Sequence, residues 1–446
     1  MVRAALIGDN SIEYIEKLLQ IWEDDDCAVL IDWRIPFERM VEMMREAEVK
    51  YCYIDRECLN GKNAEDVTDI EFKAYESSGR EPRLLPDMVR NRFKANYSHS
   101  EAVVIYSSGT TGKAKGVILS HYAINTNADA IIGYMNPSAG DCICIAKTLS
   151  HSSTLTGELL TALKSGMGIV VSPIIVPPRC IFNNIMKFSV TILCVNPTLL
   201  RLIAIEHMKK RYDDLTLKKI YVSGSVLDDQ TYELAHEAFD KIPIYNVYGL
   251  SELAPRVTAQ TESCCKSNSV GKPIHGVEIA IVNENGETVS VGVRGILHVN
   301  SPSVFDGYIS GNLKYKSLYL GWLNTGDTGY IDENGELHVC ARIDDVMIIK
   351  SHKIYPIDVE NVICTVAGVS ECAVSKIVYR GMETIGCLYI GEASVQDITA
   401  NIKSRLASYE IPKRFIRVDN FPKSANGKLL RNEVRRILED YSNGCD

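Results

Sequence analysis

Through the first half of this 446-residue chain, short apolar runs alternate with amphipathic stretches, and that alternation is the tightest constraint on its fold. Ala4–Ile7 is followed by Ser11, a residue suited to capping a helix, and then by Ile12, Ile15, Leu18, Leu19 and Trp22 at helical spacing. Cys27–Ile31 reads as a buried strand, Pro36 suits the first position of a helix, and Tyr51–Ile54 returns to strand. The pattern recurs at Asp141–Ala146, Gly168–Val171, Val190–Val195 and Lys219–Val222. A strand that is apolar along its whole length must be covered on both faces. Helices between such strands therefore predict an α/β fold with parallel sheets.

From about residue 270 the texture changes to short strands and turns, with hairpin signals at Asn283-Glu284-Asn285-Gly286 and Asp332-Glu333-Asn334-Gly335. A β-rich subdomain is expected over about 270–343. The last hundred residues fit a small α+β unit, with helix signals at Ile357–Ala367, Val395–Leu406 and Leu430–Leu438. A net charge of -9, with no basic stripe interleaved by aromatics, argues against nucleic-acid binding as the main task. The fourteen cysteines are scattered, without zinc spacing, and the chain carries neither a leader-like start nor an apolar run long enough to span a bilayer. The expectation is a cytoplasmic protein with reduced thiols and no membrane insertion.

Chemistry concentrates in the segment Tyr106-Ser107-Ser108-Gly109-Thr110-Thr111-Gly112-Lys113-Ala114-Lys115-Gly116, directly after the apolar run Ala102–Ile105. Glycines let successive N–H groups point into one concavity, hydroxyls add donors and lysines add charge, a composition suited to a polyphosphate. The spacing is not that of a P-loop NTPase. Downstream come Tyr248-Gly249-Leu250-Ser251-Glu252 after the apolar stretch Ile242–Val247, then Trp322-Leu323-Asn324-Thr325-Gly326-Asp327-Thr328-Gly329, Ala341-Arg342-Ile343-Asp344-Asp345, and Pro422-Lys423-Ser424-Ala425-Asn426-Gly427-Lys428. Each of these has a bland reading: a mobile loop, a capped turn, a surface ion pair, a solvated lysine.

In this order and at these separations the five segments resemble the adenylate-forming superfamily of acyl-CoA synthetases, peptide-synthetase adenylation domains and luciferases, over nearly the whole chain. The resemblance implies a large amino-terminal core over 1–343 and a small mobile carboxy-terminal domain over 344–446. It further implies activation of a carboxylic acid with ATP and Mg²⁺ to an acyl-adenylate, followed by transfer to a thiol. CoA is the expected acceptor, and the phosphopantetheine of a carrier protein is the alternative. Relatives usually carry several tens of residues before the strand at Ala4, so the amino-terminal subdomain reads as trimmed. With no carrier domain after Lys428, a free-standing enzyme is expected.

Residue by residue, the resemblance implies the following roles. Ser107, Ser108, Gly109, Thr110, Thr111, Gly112 and Lys115 would meet the ATP phosphates. Glu252 would ligate Mg²⁺, a hard oxygen donor for a hard cation. Asn246, Tyr248, Gly249 and Ser251 would border the nucleotide, with the Tyr248 ring on adenine. Asp327 would accept both ribose hydroxyls, and Arg342 would add a guanidinium beside the ribose or phosphate. Lys428 would be the catalytic lysine between carboxylate and α-phosphate, and Asp344 the hinge. His151, Ser152, Ser153, Ser223, Gly224 and Ser225 would line the acid pocket.

Ser152 and Ser153 offer no carboxylate to pair a substrate ammonium, which disfavours an α-amino acid. His151 is either a gate or a satisfied core histidine. Arg256 either pairs with an acid or meets a second substrate carboxylate. Ala341 and Ser351 replace glycines common in the superfamily, which weakens the expectation for the thioester step. Two further readings stay open: a non-catalytic nucleotide-binding protein, and a kinase-like enzyme that would yield ADP.

Overall fold

The structure is a computed structural model. It describes every residue except 61, 63, 79–80, 95–96, 98–99, 108–113, 175–176, 262–268, 312–317, 320, 350–351, 380, 425–427 and 444–446. The apolar runs form the expected parallel sheets. Among the described residues the first sheet has a parallel centre made of Glu101–Ser107, Cys27–Ile31, Arg3–Ile7, Val49–Asp55 and Glu71–Tyr75, in that spatial order. Lys115–Ser120 runs antiparallel beside Glu101–Ser107, and Gly307–Tyr308 adds antiparallel outside it. That last strand carries a residue from far downstream to the edge bearing Lys115.

Among the described residues the second sheet has five parallel strands: Gly168–Val171, Cys142–Ile145, Ile192–Val195, Lys219–Val222 and Ile244–Gly249. Antiparallel Arg256–Ala259 follows Ile244–Gly249 at its edge. A third, antiparallel sheet contains Glu278–Val282, Gly295–Asn300, Trp322–Ile331 and Leu337–Arg342, the β-rich region expected after residue 270. One continuous core joins all three sheets through Trp22, Leu30, Ile105, Ile131, Leu155, Tyr245, Leu297 and Leu323. Burying each such side chain contributes about 1.5–3 kcal/mol, so this core fixes how the sheets sit against one another.

Past residue 346 the chain packs around two cores of its own, one over Met347–Ile402 and one that includes Ala373, Leu388, Val434 and Leu438. Val369–Tyr379, Met382–Gly391 and Arg414–Arg417 form a sheet there, with helices Pro356–Cys364, Val395–Ile402 and Arg431–Asn443.

Local signals held well. Ser11 caps Ile12–Glu23, its side chain accepting from Tyr14 N at 3.0 Å. Both turn signals close: Asn283 N donates to Glu287 O at 2.8 Å and Asp332 N to Glu336 O at 3.0 Å. Some boundaries shift. Pro36 is the cap before Phe37–Glu46 rather than its first residue, because its backbone is extended. The helix expected to reach Ala367 stops at Cys364, ahead of Gly368 in the left-handed region at φ +86°.

Candidate active site

The site begins where the strand Ile244–Gly249 ends. A Cβ on Gly249 would lie 2.0 Å from Pro255 O, so only glycine lets the returning strand approach this closely. Leu250 N donates to Pro255 O at 2.8 Å, and the short turn Ser251–Leu253 presents Glu252 in a buried setting. Tyr308 Oη donates to Glu252 Oε1 at 2.7 Å. Burial, and then the Glu252 charge, raise the Tyr308 pKa and keep that hydroxyl protonated. The same ring faces Lys115, whose Nζ lies 5.6 Å from its centroid. Tyr308 thus links Glu252 to the end of the Ser/Thr/Gly/Lys segment. Of that segment, Ser107 closes one strand and pairs with Lys115 across the ladder; Ser108, Gly109, Thr110, Thr111 and Gly112 lie outside the described residues.

Asp327 and Arg342 come from the third sheet, where they are register partners. Thr325 Oγ1 accepts from Asp327 N at 3.0 Å, and Gly326 turns the backbone at φ +72°. Arg342 Nη1 donates to Asp327 Oδ1 at 2.7 Å and to Thr325 O at 2.9 Å. The Tyr248 hydroxyl donates to the other carboxylate oxygen, Oδ2. Burial alone would lower the Arg342 pKa, but Asp327 outweighs it and raises it. Burial, then Asp327, holds Tyr248 far above its usual range.

Lys428 is tied to Ser424: Ser424 N donates to Lys428 O at 2.8 Å and Lys428 N to Ser424 Oγ at 3.1 Å. The residue is exposed, but its ammonium is crowded by the surrounding walls. Desolvation and then the Arg342 charge lower its pKa, against the opposing pull of Asp327, Asp345 and Glu252. The structure therefore brings Lys428, Arg342, Asp327 and Glu252 within electrostatic reach of one another, from segments 176 positions apart in the chain (252 to 428). Asp344 lies exposed in the turn Ile343–Asp345. Its neighbour Asp345 pairs with Arg431 at 3.6 Å, and Arg431 in turn meets Glu360 at 2.8 Å. Ser351 lies outside the described residues.

The residues expected to line the acid pocket divide. Ser152 and Ser251 approach through their hydroxyls at 3.1 Å, joining the 149–157 stretch to the Tyr248–Glu252 turn. His151 Nδ1 contacts Ser153 Oγ at 2.9 Å. Burial, then Lys147 and Lys428, lower the His151 pKa to about 4, so its ring is neutral at physiological pH. Ser223 is buried, 3.5 Å from Lys147 Nζ, whereas Gly224 and Ser225 are exposed. Asn246, expected beside the nucleotide, uses its side-chain amide on Ser269 O at 3.1 Å and so ties the strand to the segment after it.

Sequence reasoning missed Tyr308, Lys147 and Glu158. Tyr308 belongs to a two-residue strand whose partner is 191 positions upstream, so no local pattern marks it. Glu158 lies in a π-helical stretch, Leu155–Leu160, a rare form that concentrates at functional sites, and periodicity does not announce it.

The family described as "AMP-binding enzyme" matches residues 2–309, and that described as "AMP-binding enzyme C-terminal domain" matches residues 358–428. The chain is 26% identical, over 98% of its length and 89% of the relative's, to a 2-succinylbenzoate--CoA ligase of Bacillus mycoides. It is 27% identical, with the same coverage, to the enzyme of that name from Bacillus cytotoxicus. In fold it resembles ATP-bound MatB from Rhodopseudomonas palustris, with a TM-score of 0.85 at 21% identity over 99% of this chain and 89% of that one. It also resembles the o-succinylbenzoate CoA synthetase of Bacillus subtilis in complex with its acyl-adenylate, with a TM-score of 0.82 at 24% identity over 97% and 88% of the two chains.

Proposed function

This chain belongs to the AMP-binding enzyme family, and we propose that it is an AMP-forming acid–thiol ligase that activates a small carboxylic acid and passes the acyl group to CoA. A carboxylate is a poor electrophile, because its charge repels nucleophiles and oxide cannot leave. In the first half-reaction a carboxylate oxygen bonds to the α-phosphorus of ATP and the bond to pyrophosphate breaks. In the second, the CoA sulfur bonds to the acyl carbon and AMP departs. Both steps depend on positioning and on neutralising charge rather than on covalent catalysis by the protein.

The chain's own residues take these roles. Asp327 accepts from the ribose diol, held by Arg342 and Tyr248. Ser107, Ser108, Gly109, Thr110, Thr111, Gly112 and Lys115 receive the phosphates. Glu252 is a buried carboxylate that Tyr308 orients, a donor set that fits the Mg²⁺ accompanying ATP and neutralising its phosphates. Lys428 offsets the repulsion between the carboxylate and the α-phosphate. The division between a core over 1–343 and a small domain over 344–446, pivoting at Asp344, belongs to the same proposal. So does a place in the cytoplasm, where CoA and ATP are available; among the described residues no helix is long and apolar enough to cross a membrane.

The observation that carries this reading is the approach of Lys428 to Asp327, Arg342 and Glu252. The test is to incubate the protein with ATP, Mg²⁺ and a panel of acids, trap adenylates with hydroxylamine, and identify the nucleotide formed. AMP and pyrophosphate with a trapped hydroxamate support the proposal. ADP, or nucleotide binding without turnover on any acid, refutes it.

A further inference from the structure

Glu284, Gln230 and Arg294 each meet a residue beyond Asp344, and the contact made by Arg294 is built differently from the other two. Glu284 pairs with Lys353 where both side chains are largely exposed, which contributes little. Gln230 Nε2 donates to the carbonyl oxygens of Cys364 and, at 3.4 Å, Val369. Arg294 instead grips at two points: Nη1 donates to Asp358 Oδ2 at 2.5 Å and Nη2 to Asp358 Oδ1 at 3.0 Å. Its guanidinium carbon also lies 4.6 Å from the centroid of the Tyr355 ring. A bidentate pair with a ring against the guanidinium fixes orientation as well as distance, which a single exposed ion pair does not.

Both ends of this contact are anchored. Arg294 immediately precedes the strand Gly295–Asn300 of the third sheet, and Tyr330, 6.0 Å from the guanidinium, belongs to the neighbouring strand Trp322–Ile331. His338 stacks on Tyr330 at 4.6 Å with the rings 1° from parallel, which steadies that wall. On the other side, Tyr355 caps the helix Pro356–Cys364 and Asp358 lies in its first turn, where the helix dipole favours a carboxylate. Val359 and Ile363 of the same helix are buried in the core of the carboxy-terminal unit. A grip on Asp358 is therefore a grip on the whole unit.

Tyr355 and Asp358 follow Asp344 in the chain, whereas Arg294 and Tyr330 precede it. A pivot at Asp344 would separate them, so the contact belongs to one arrangement of the two units. It is the arrangement in which Lys428 comes within reach of Asp327, Arg342 and Glu252. We propose that Arg294 is a positioning residue for the adenylation step: by gripping Asp358 and Tyr355 it holds the carboxy-terminal unit where Lys428 meets the nucleotide, and its release precedes entry of the thiol. The inference rests on the adenylate-forming reading and on the pivot proposed above. It adds the residue that sets how the chain divides its time between the two half-reactions.

The experiment compares the wild type, Arg294→Ala, Asp358→Ala and the double variant in two separate measurements. One is pyrophosphate release with ATP and the best acid of the hydroxamate panel; the other is acyl-CoA formation from preformed acyl-adenylate and CoA. Each single variant should release pyrophosphate about tenfold more slowly, with the KM for ATP within about twofold of the wild type, and should form acyl-CoA at least as fast. The double variant should match the single ones, because either loss opens the same contact. Arg294→Lys keeps the charge without the two-point geometry and should fall between the wild type and Arg294→Ala. A merely structural pair would slow both measurements alike or neither, and either result overturns the proposal. So does a double variant in which the two losses multiply.

Should Arg294→Ala not fold, Asp358→Ala and Arg294→Lys decide by the same criteria. If no acid is adenylated, the function proposed above fails, and small-angle scattering then decides the grip by itself. A larger radius of gyration for Arg294→Ala than for the wild type supports the grip, and equal radii overturn it.

Discussion

Asp327 and Arg342 face each other across an antiparallel ladder, and Arg342 Nη1 lies 2.7 Å from Asp327 Oδ1. Backbone register delivers the pair, so neither side chain has to search for the other. The carboxylate is nearly inaccessible, and Tyr248 occupies its second oxygen. Such an arrangement holds an acceptor in one orientation before any ligand arrives, which is what a vicinal diol requires.

Asp327→Asn should therefore cost both stability and nucleotide affinity. The amide keeps the shape but removes the charge opposite Arg342, a loss of about 2 kcal/mol at a partly solvated pair. Urea unfolding should show that loss, and the KM for ATP should rise about tenfold or more. Unchanged ATP affinity would remove Asp327 from the nucleotide site.

Lys428→Ala should reduce acyl-adenylate formation about 100- to 1,000-fold while leaving ATP binding nearly intact, because the ammonium acts where two anions meet. Pyrophosphate release and equilibrium nucleotide titration separate the two effects. Pyrophosphate release at the wild-type rate would refute the assignment.

Asp344→Pro should spare adenylation and block thioester formation. Proline fixes φ at the turn Ile343–Asp345, where the proposed swivel would occur. Pyrophosphate release should stay near the wild-type rate while acyl-CoA, measured by chromatography, falls about 100-fold. Survival of both half-reactions would end the hinge proposal.

Gly249→Ala should lower stability by about 2–3 kcal/mol, because the new methyl meets backbone that has nowhere to move. Pro255 O, 2.0 Å from the added Cβ, already accepts from Leu250 N. Thermal melts should show the loss, and adenylation should slow as the turn carrying Glu252 shifts. A variant with wild-type melting would contradict the packing at this turn.

His151 gives a pH signature. Its folded pKa is about 4, against an ordinary value near 6.5. Between those values the unfolded chain binds a proton that the folded chain refuses, so stability falls as pH drops from about 6.5 to about 4 and levels off below. His151→Gln removes this titration. The stability difference between wild type and variant should move by about 2–3 kcal/mol across that window and stay flat above pH 7. A pH-independent difference would show the ring to be solvated in the folded state.

Much of the fold was readable because its signals are local. Four of the five buried parallel strands of the second sheet, the cap at Ser11 and the turn before Gly286 each depend on a few adjacent residues, and each lies where the pattern put it. The motif order put forward Tyr248, Glu252, Asp327, Arg342 and Lys428 as candidates, since each sits in a distinctive short segment. The resemblance also implied Asn246 beside the nucleotide; its side-chain amide donates to Ser269 O.

Taken alone, the order of residues determined the alternating architecture and the set of groups able to handle a nucleotide, because periodicity and motif spacing are written along one dimension. Only the tertiary structure decided that Tyr308 orients Glu252 and that Lys147 takes Glu158. The physical reason is that electrostatic pairing depends on distance through the folded protein. Residues 56 positions apart, such as Glu252 and Tyr308, become neighbours only when the fold lays the turn Ser251–Leu253 against the edge of the first sheet.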